Sequence, residues 1–397
     1  MLGWELPPHN SGGLGVACYQ LCKELANNNV AIDFILPYQA EHTIDFMDIT
    51  AARPVDVAVV QAGGIAYDSY KYVHPDGTVE WVNIHDQQAH YEVAVGSLVK
   101  RKSFDIIHAH DWLTFRAGIR AKQVSGKPLI LHVHSIERDR AGGTSGNPLV
   151  REIEQLSMLM ADKVIAVSNH TKRAIVNDYG IPADKIAVVH NSMDIGDVEP
   201  LSGETAYTYV AAMKELGYRV VVSIGRLTVQ KNLVNLLHTF KLVVDRRPKT
   251  LLLLVGSGDQ EQELIELAAQ LGISRNVLFT GFQRGKRWRD AYAIGDLFVM
   301  PSVSEPFGLT PLEAAGYGTP SLISKQSGVS EVIANCLKVD YWDTDEMANQ
   351  MLLVLNNDVL RDELHRNIYD EYCNLSWSQA AKQLIDTYRL HHERLLA

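Results

Sequence analysis

Two glutamates flank a helix start in the stretch MPSVSEPFGLTPLEAAGYGTP, residues 300–320. Glu305 and Glu313 are separated by seven residues that include Thr310 and Pro311. Thr310 suits an N-cap and Pro311 the first helical position, so Glu313 would complete a capping box with Thr310. Glu305 precedes the helix, where exposed backbone N–H groups and the helix dipole favour an anion. If that anion is a phosphate, Glu305 could accept hydrogen bonds from neutral hydroxyls beside it, as a nucleotide sugar requires.

Two cations lie five residues apart on an earlier loop. Arg226 and Lys231 follow the apolar run VVVSI. The bidentate guanidinium of Arg226 and the ammonium group of Lys231 could together neutralise a diphosphate. The same sequence pattern also fits two solvated surface charges. Gly256 follows LLLLV and would permit close backbone approach, which is weak evidence alone. Gly281 and Phe282 follow another strand, where Phe282 could stack on a base or pack in the core.

Histidines and glycines mark strand ends in the first half. Gly12 and Gly13 precede a helix from Gly15 to Asn27, so the glycine loop could approach a phosphate or simply form a tight turn. One apolar run ends in HAHDW, which contains His108, His110 and Asp111. The next apolar run ends in HVH, which contains His132 and His134. Strand alternation places His132 and His134 on one face, but no third ligand with clear spacing follows, so we predict no metal. For His108 and His132 we expect hydrogen-bonded structural roles.

Short apolar runs alternate with helical patterns along the whole chain. The predicted strands are Ala31–Leu36, Val55–Gln61, Ile106–Ala109, Leu129–His134, Lys163–Val167, Val220–Ile224, Leu251–Val255, Val277–Thr280, Leu297–Met300 and Ser321–Ile323. The other predicted helices include Asn147–Met160, Asp259–Leu271 and Ser376–Leu396. The strands lack polar alternation, as expected of parallel strands covered on both faces. The pattern predicts an α/β protein with two doubly wound, Rossmann-like domains facing a cleft.

Length and composition bound the remaining classes. The 397 residues suggest two domains, and the pattern loosens near residues 194–216. We predict an N-terminal, acceptor-side domain over residues 1–197, a nucleotide-sugar domain over 198–375, and a final helix, 376–397, packing on the first domain. The net charge of −10 argues against nucleic-acid binding. The sequence contains no apolar run of about 18 residues, so no transmembrane segment is predicted. Four cysteines without zinc-like spacing read as free thiols in a reducing cytoplasm.

These motifs resemble one enzyme family. The EPFGLTPLEA wording, the GRL…QKN loop and VGSGD occur in the order found in retaining, nucleotide-sugar-dependent glycosyltransferases of the GT-B architecture, group 1 or family 4, which includes glycogen-synthase-like members. The resemblance covers essentially the whole chain. It implies transfer of a hexose, expected to be glucose, from an ADP- or UDP-sugar to a glycan or other hydroxyl acceptor. No metal or other cofactor is implied.

The resemblance also implies roles for matching positions. Arg226 and Lys231 would hold the diphosphate, Glu305 the donor sugar, and Glu313 the ribose in preference to the capping box. His134 would contact the donor sugar, and His110 and Asp111 would lie on the acceptor side. We count His134, Arg226, Lys231 and Glu305 as catalytic. The implied donor-binding set is Gly12, Gly13, Arg226, Lys231, Gly256, Gly281, Phe282, Glu305, Phe307, Gly308, Leu309, Thr310 and Glu313.

One motif departs from the family pattern, and two rival functions stay open. Asn10 and Ser11 stand where glycogen synthases commonly carry a lysine before the glycine loop, which would leave the phosphate contact there to backbone amides. A nucleotide-sugar 2-epimerase of the same fold would carry similar motifs. A non-catalytic GT-B scaffold subunit is the alternative from another class, although every charged motif position is filled here.

Overall fold

The computed structural model describes residues 1–9, 12–53, 57, 59–63 and 69–396. The strands are β1 (Asp33–Leu36), β2 (Asp48–Ala51), β3 (Val59–Gly63), β4 (Ser69–Val73), β5 (Val79–Asn83), β6 (Ile107–His110), β7 (Leu129–Val133), β8 (Lys163–Ala166), β9 (Ile186–Val188), β10 (Arg219–Ile224), β11 (Thr250–Val255), β12 (Val277–Phe279), β13 (Leu297–Met300), β14 (Ser321–Ser324) and β15 (Leu337–Val339). The helices are α1 (Gly13–Asn27), α2 (Ile84–Leu98), α3 (Trp112–Ser125), α4 (Glu137–Arg140), α5 (Pro148–Met160), α6 (Asn169–Tyr179), α7 (Thr208–Glu215), α8 (Leu233–Arg246), α9 (Glu261–Gln270), α10 (Gly285–Ile294), α11 (Thr310–Gly316), α12 (Thr344–Asn356), α13 (Asp358–Cys373) and α14 (Trp377–Leu396).

The chain divides into two compact units by its internal contacts. The first comprises Met1–Glu137, Ser145–Asn191 and Trp377–Ala397, and the second comprises Arg138–Thr144 and Ser192–Ser376. The change of unit thus falls after Asn191, a few residues before the predicted boundary at 197. A short segment of the first half, Arg138–Thr144, groups with the second unit, which no sequence pattern indicated.

The first unit is built on a parallel sheet. Strands β6, β7, β8 and β9 pair in that order, and β1 pairs with β2. Leu2 forms parallel bridges to both Ile35 and Ala109, so the start of the chain lies between β1 and β6. Buried leucines and cysteines of α1 pack in this core, and α1 contacts α14. The carboxyl ends of the chain start and of β6 therefore meet at one edge, at the change of strand order where open α/β sheets bind ligands.

A second, antiparallel sheet in this unit was not predicted. Strands β3, β4 and β5 form a three-stranded meander in that order. The predicted strand Val55–Gln61 begins partly outside the described residues, and the described strand there is β3. The expectation of purely parallel sheets is therefore wrong for this segment. The apolar-run criterion missed β4 and β5 because antiparallel strands with one wet face alternate polar and apolar residues.

The second unit is a six-stranded, all-parallel sheet. Its order is β12-β11-β10-β13-β14-β15, which is the 3-2-1-4-5-6 order of a Rossmann fold. Every residue of β11 and β13 is buried, as continuous apolar strands covered by helices on both faces should be. The strand order reverses between β10 and β13, so the loops after these two strands face each other. The loop after β10 carries Arg226 and Lys231, and the loop after β13 carries Glu305.

Most predicted elements are present with ends shifted by one or two residues. The stretch 194–216, expected to be irregular, ends in the helix α7. No helix in the described part of the chain combines the length and the apolar character needed to cross a bilayer.

Candidate active site

Lys231 and Glu305 meet at the switch point of the second unit. Lys231 Nζ lies 2.5 Å from Glu305 Oε2, although the residues are 74 positions apart. Ser302 Oγ donates to the same carboxylate oxygen at 2.9 Å. Glu305 is 8% exposed, so the carboxylate is held by a cation and a hydroxyl in a poorly hydrated position. An incoming polyol could exchange its own hydroxyls for these donors.

The backbone on both sides of this pair is fixed. Lys231 ends a 3₁₀ turn, and the next residue, Asn232, donates from Nδ2 to the carbonyls of Pro301 and Tyr341 at 3.0 and 2.8 Å. Glu305 N donates to Gln326 O, and Gly328 N donates to Glu305 O, both at 2.9 Å. The two charged side chains therefore project from anchored loops, as a preorganised binding site needs.

Arg226 lies with Lys231 in one pocket of the second unit. Both residues line it together with Ser302 and the end of β10. Gln230 Nε2 donates to Ser304 O at 3.0 Å, which ties the cationic loop to the glutamate loop. The structure thus brings the two predicted diphosphate ligands together with Glu305.

Gly256 is required by the chain itself. Its φ is +140°, and a Cβ there would overlap the carbonyl oxygen of Gly225 on the neighbouring loop. A Cβ at Gly258 would likewise overlap the carbonyl oxygen of Leu227. These glycines let the loops after β10 and β11 pack backbone to backbone, which positions Arg226. Donor binding by Gly256 stays a prediction.

The turn from Phe307 to Thr310 leads into α11. Gly308 has φ +95°, and a Cβ there would lie 3.0 Å from Glu305 Cγ and 2.9 Å from Met300 Cε. Glycine therefore keeps this turn tight against the glutamate. Phe307 is buried, and its carbonyl accepts from Val329 N at 2.8 Å. Contact of these amides with donor phosphates stays a prediction.

The predicted capping box is wrong. Helix α11 starts at Thr310 with Leu309 as N-cap, and no side chain caps it. The Thr310 hydroxyl instead lies 3.6 Å from Met300 Sδ. The register is one residue earlier than expected, which places Thr310 inside the first turn. The competition between helix capping and ligand binding at Glu313 therefore disappears.

Glu313 is held by a tyrosine that sequence reasoning missed. The Tyr292 hydroxyl donates to Glu313 Oε2 at 2.5 Å. The Tyr292 ring stacks on the Tyr317 ring, with 6.0 Å between the ring centroids. Burial raises the pKa of Glu313 to about 7, against the lowering effects of the Tyr292 hydrogen bond and the Lys231 charge. A partly buried carboxylate that accepts from Tyr292 retains capacity for two ribose hydroxyls. The tyrosine lies 21 residues away on α10, so no local spacing could have signalled it.

This pKa makes nucleotide binding pH-dependent if Glu313 binds ribose. Ionised Glu313 accepts both ribose hydroxyls, so affinity for UDP or ADP should rise as the pH increases through about 7. Tyr292→Phe removes a hydrogen bond that lowers the pKa, and the midpoint should move upward. Calorimetric titration from pH 5.5 to 8.5 measures both. Glu313→Gln is the control, because the ionisation of the nucleotide's phosphates affects both proteins equally whereas only the wild type has the titrating carboxyl. A ratio of wild-type affinity to Glu313→Gln affinity that stays constant across this pH range would contradict the assignment.

The stability of the nucleotide-free chain should move in the opposite direction. The folded Glu313 carboxyl keeps its proton up to about pH 7, whereas its ordinary pKa is 4.5. The native state therefore binds more protons between these values, and the free energy of unfolding should fall as the pH rises from 4.5 to 7. Urea unfolding of wild type and Glu313→Gln isolates this contribution as the difference between their pH profiles.

Phe282 is exposed. Its side chain is 53% accessible, and the Arg284 guanidinium lies 5.3 Å from the ring centroid. The core-packing alternative is therefore wrong, and a ring open to solvent is compatible with stacking on a base. Gly281, with φ +67°, precedes it and accepts from Gly256 N at 2.9 Å.

In the first unit, Asp111 organises the turn after β7. Its carboxylate accepts from the backbone N–H groups of His134 and Ser135 at 2.6 and 3.2 Å. Asp111 itself has φ +59°, an uncommon conformation for a residue other than glycine, at the start of α3. The observed role of Asp111 is to fix the backbone that presents His134. A direct acceptor contact for Asp111 stays a prediction.

His110 and His134 are hydrogen-bonded partners on neighbouring strands. His110 Nδ1 lies 3.0 Å from His134 Nε2, and burial lowers the pKa of His134 to about 3. His134 is therefore a neutral imidazole near pH 7, suited to hydrogen bonding a sugar hydroxyl rather than to carrying charge. The structural interpretation holds for His108, which bonds Tyr388 at 2.5 Å. It is wrong for His132, whose ring nitrogens have no hydrogen-bond partner among the described residues.

The glycine loop of the first unit forms the start of α1. The helix begins at Gly13, two residues earlier than predicted, with Gly12 in extended conformation as N-cap. Asn10 and Ser11 lie outside the described residues. Gly12 has no side chain to cap the helix, so phosphate binding by the backbone N–H groups of its first turn stays a prediction.

Two further contacts were not foreseen. The Ser304 hydroxyl donates to Asp139 Oδ1 at 2.5 Å, which anchors the segment Arg138–Thr144 to the glutamate loop. Glycines of the same segment pack against Val229 and Val303. The Ser304–Asp139 hydrogen bond links residues 165 positions apart, so motif spacing carried no signal for it.

Two family models match most of the chain. The family "Glycosyl transferases group 1" matches residues 211–371, and "Glycosyltransferase Family 4" matches residues 11–197. An uncharacterized glycosyltransferase of Methanocaldococcus jannaschii is 28% identical over 412 residues, covering 100% of this chain and 98% of the relative. A D-inositol 3-phosphate glycosyltransferase of Nocardia farcinica is 31% identical over 307 residues, covering 72% of this chain and 66% of the relative.

The structure of sucrose-phosphate synthase from Thermosynechococcus elongatus is similar in fold. It has a TM-score of 0.76 at 19% identity and covers 98% of this chain and 97% of that one. The two Rossmann-like units and the likeness to this structure define the GT-B fold. Since the two family matches together span most of the chain, the protein belongs to the group 1, family 4 glycosyltransferases and is a glycosyl-transferring enzyme.

Proposed function

We propose that this enzyme transfers a hexose, with glucose as the expected sugar, from a nucleoside-diphosphate sugar to a glycan or other hydroxyl acceptor with retention of anomeric configuration. The observation that carries the proposal is the buried Lys231–Glu305–Ser302 arrangement in the same pocket region as Arg226. A diphosphate needs paired cations, and a hexose needs a carboxylate that can accept from its hydroxyls. Both lie at the switch point of one parallel sheet.

The residues divide the work of donor binding. Arg226 and Lys231 neutralise the diphosphate and stabilise its charge as the bond to the anomeric carbon breaks. Glu305 accepts from sugar hydroxyls, and Glu313 accepts from the ribose. Donor binding would give Lys231 a phosphate partner in place of the carboxylate that it contacts at 2.5 Å, which frees Glu305 for the sugar. Two fixed cations and helix amides supply the leaving-group charge stabilisation without a metal.

The chemical step is attack of an acceptor hydroxyl on an oxocarbenium-like anomeric carbon. Retaining glycosidases place two carboxylates across the scissile bond, one as nucleophile. Here Glu305 already pairs with Lys231, and Glu313 bonds Tyr292, so we assign neither as a nucleophile. Retention is attributed to attack on the face from which the diphosphate departs, with the departing phosphate accepting the acceptor's proton. His134, Asp111 and His110 are assigned to the sugar and acceptor side.

We place the reaction in the cytoplasm. Cys18, Cys22, Cys336 and Cys373 are free thiols, which fits a reducing compartment.

A donor and acceptor screen tests the function. The enzyme is incubated with UDP-glucose or ADP-glucose and with maltooligosaccharides or inositol 3-phosphate, the latter because one relative is named for it. Mass spectrometry should detect one hexose added, and NMR of the product should show the donor's anomeric configuration. Inversion would contradict retention. An epimer of the donor formed without acceptor would support the 2-epimerase alternative, and tight nucleotide binding without turnover on a wider acceptor panel would support a scaffold role.

A further inference from the structure

Four histidines lie side by side in the core of the first unit. His108 and His110 occupy one face of β6, and His132 and His134 extend the row from β7. Residues His110 and His132 are register partners in the parallel pairing of these strands. Ring centroids are separated by 4.4 Å for His108–His110, 5.3 Å for His108–His132 and 5.4 Å for His110–His132.

Three of these rings are buried with ring nitrogens unsatisfied. His108, His110 and His132 are each at most 2% exposed. His108 Nε2, His110 Nε2 and both nitrogens of His132 have no hydrogen-bond partner among the described residues. A buried polar atom without a partner costs roughly 1–3 kcal/mol, so several together in one place call for a ligand.

The outer hydrogen bonds leave the inner nitrogens available. His108 Nδ1 is held by the Tyr388 hydroxyl of α14 at 2.5 Å, and His110 Nδ1 is held by His134 Nε2 at 3.0 Å. In both residues the opposite nitrogen, Nε2, is the unpartnered one. Metal-ligating histidines have this arrangement, with one nitrogen oriented by an outer partner and the other on the metal.

We propose that His108, His110 and His132 bind a zinc ion. Their candidate ligand atoms all lie within 4.8 Å of one another. Tetrahedral Zn–N bonds of about 2.1 Å place ligand nitrogens about 3.4 Å apart, so each pair of ligand atoms needs to approach by at most about 1.4 Å. Imidazole nitrogens are among the usual ligands of Zn²⁺.

Cys18 lies beside the three-histidine set rather than within it. Its sulfur forms a second group with His110 and His134, whose ligand atoms also lie within 4.8 Å of one another. The thiol comes from α1, which covers this face of the sheet. Coordination of the proposed ion by Cys18 would require its sulfur to move toward His108 and His132, and the thiolate formed would cancel one of the ion's two charges.

The proposed ion has a structural role. The three ligand rings are each at most 2% exposed, so the ion would not be open to a substrate. It would tie β6 to β7, and through Tyr388 to α14, beneath the strand ends that carry Asp111 and His134. The proposal does not depend on the donor site, because Arg226 and Lys231 belong to the second unit. It shares His110 with the proposed acceptor side, where a zinc-bound His110 would act through its contact with His134.

Zinc binding is tested on the untagged full-length enzyme after removal of metals with a chelator. We expect one Zn²⁺ per chain by elemental analysis, a Tm that rises with added Zn²⁺, and visible absorption typical of tetrahedral cobalt after Co²⁺ loading. His132→Leu should lose the bound ion and the Tm response to Zn²⁺. His90→Gln, an exposed histidine on α2, is the matched control and should retain both. Tyr388→Phe keeps every ligand and should weaken zinc affinity by about 10- to 100-fold.

Three results would overturn the proposal. The first is binding of less than about 0.1 equivalents of zinc per wild-type chain at micromolar free Zn²⁺. The second is equal zinc binding by wild type and His132→Leu, which would mean adventitious binding elsewhere. The third is a higher Tm for His132→Leu than for the zinc-supplemented wild type, as expected if an unpartnered polar ring is merely replaced by an apolar side chain. If His132→Leu does not fold, unchanged zinc affinity in Tyr388→Phe overturns the proposal.

Discussion

Glu305→Ala is expected to abolish sugar transfer while the chain still binds the nucleoside diphosphate. Glu305 is the carboxylate nearest the proposed hexose, held by Lys231 and Ser302 at 2.5 and 2.9 Å. Removing it eliminates the acceptor for the sugar hydroxyls but leaves Arg226, Lys231 and the start of α11 for the phosphates. Lys231, freed from its carboxylate partner, should bind the diphosphate at least as well. Steady-state transfer assays and titration with UDP or ADP measure the two effects separately.

The controls separate lost chemistry from lost structure. Glu305→Gln keeps the size of the side chain and the Ser302 contact but removes the charge, and it should also lose most transfer activity. Glu266→Ala, on the exposed side of α9, should leave transfer and binding unchanged. Thermal unfolding checks that each variant is folded. If nucleotide binding vanished in Glu305→Ala and transfer with excess donor survived, the sugar and phosphate assignments would be reversed.

Lys231→Ala is expected to lower turnover by about 10²-fold or more with the fold intact. A fixed charge aimed at a developing negative charge contributes about this factor, equivalent to about 2.7 kcal/mol. The ammonium group lies on a 3₁₀ turn whose position Asn232 fixes through two carbonyls. Arg226→Ala should have a similar effect, because both side chains line the same pocket.

Kinetics must distinguish leaving-group stabilisation from ground-state binding. Loss of an interaction that strengthens in the transition state lowers kcat, whereas loss of uniform binding raises KM alone. Lys231→Arg retains the charge and should recover part of the turnover. Lys241→Ala removes an exposed lysine paired with Asp245 on α8 and should change neither constant. Normal kinetics in both Lys231→Ala and Arg226→Ala would refute the diphosphate assignment.

Local patterns predicted the two charged loops of the second unit because strand, glycine and helix-start signals each act over a few consecutive residues. An apolar strand, a glycine or charged loop and a helix start occupy about fifteen consecutive residues around Arg226 and again around Glu305. Strand order then follows from the alternation of strands and helices, and the Rossmann order brings the loops after β10 and β13 together. The Lys231–Glu305 contact is the result.

Local patterns failed where a side chain serves a distant partner. The Thr310–Glu313 spacing fits a capping box, but Glu313 bonds Tyr292 because α10 packs beside α11. The HVH motif lacks a third ligand in its own neighbourhood, yet the pairing of β6 with β7 places two more histidines beside it. The strands β4 and β5 escaped notice because their polar alternation differs from the buried parallel strands around them.

The sequence by itself determined an α/β chain of two Rossmann-like halves, the loops that carry the charged residues, and the kind of ligand those charges suit. These follow from backbone propensity, burial periodicity and helix-terminus electrostatics, all of which act over a few residues. The tertiary structure alone decided which side chains meet: Glu305 with Lys231, Glu313 with Tyr292, and His110 with His132 and His134. Such contacts depend on strand register and helix packing, which are set by the whole core at once.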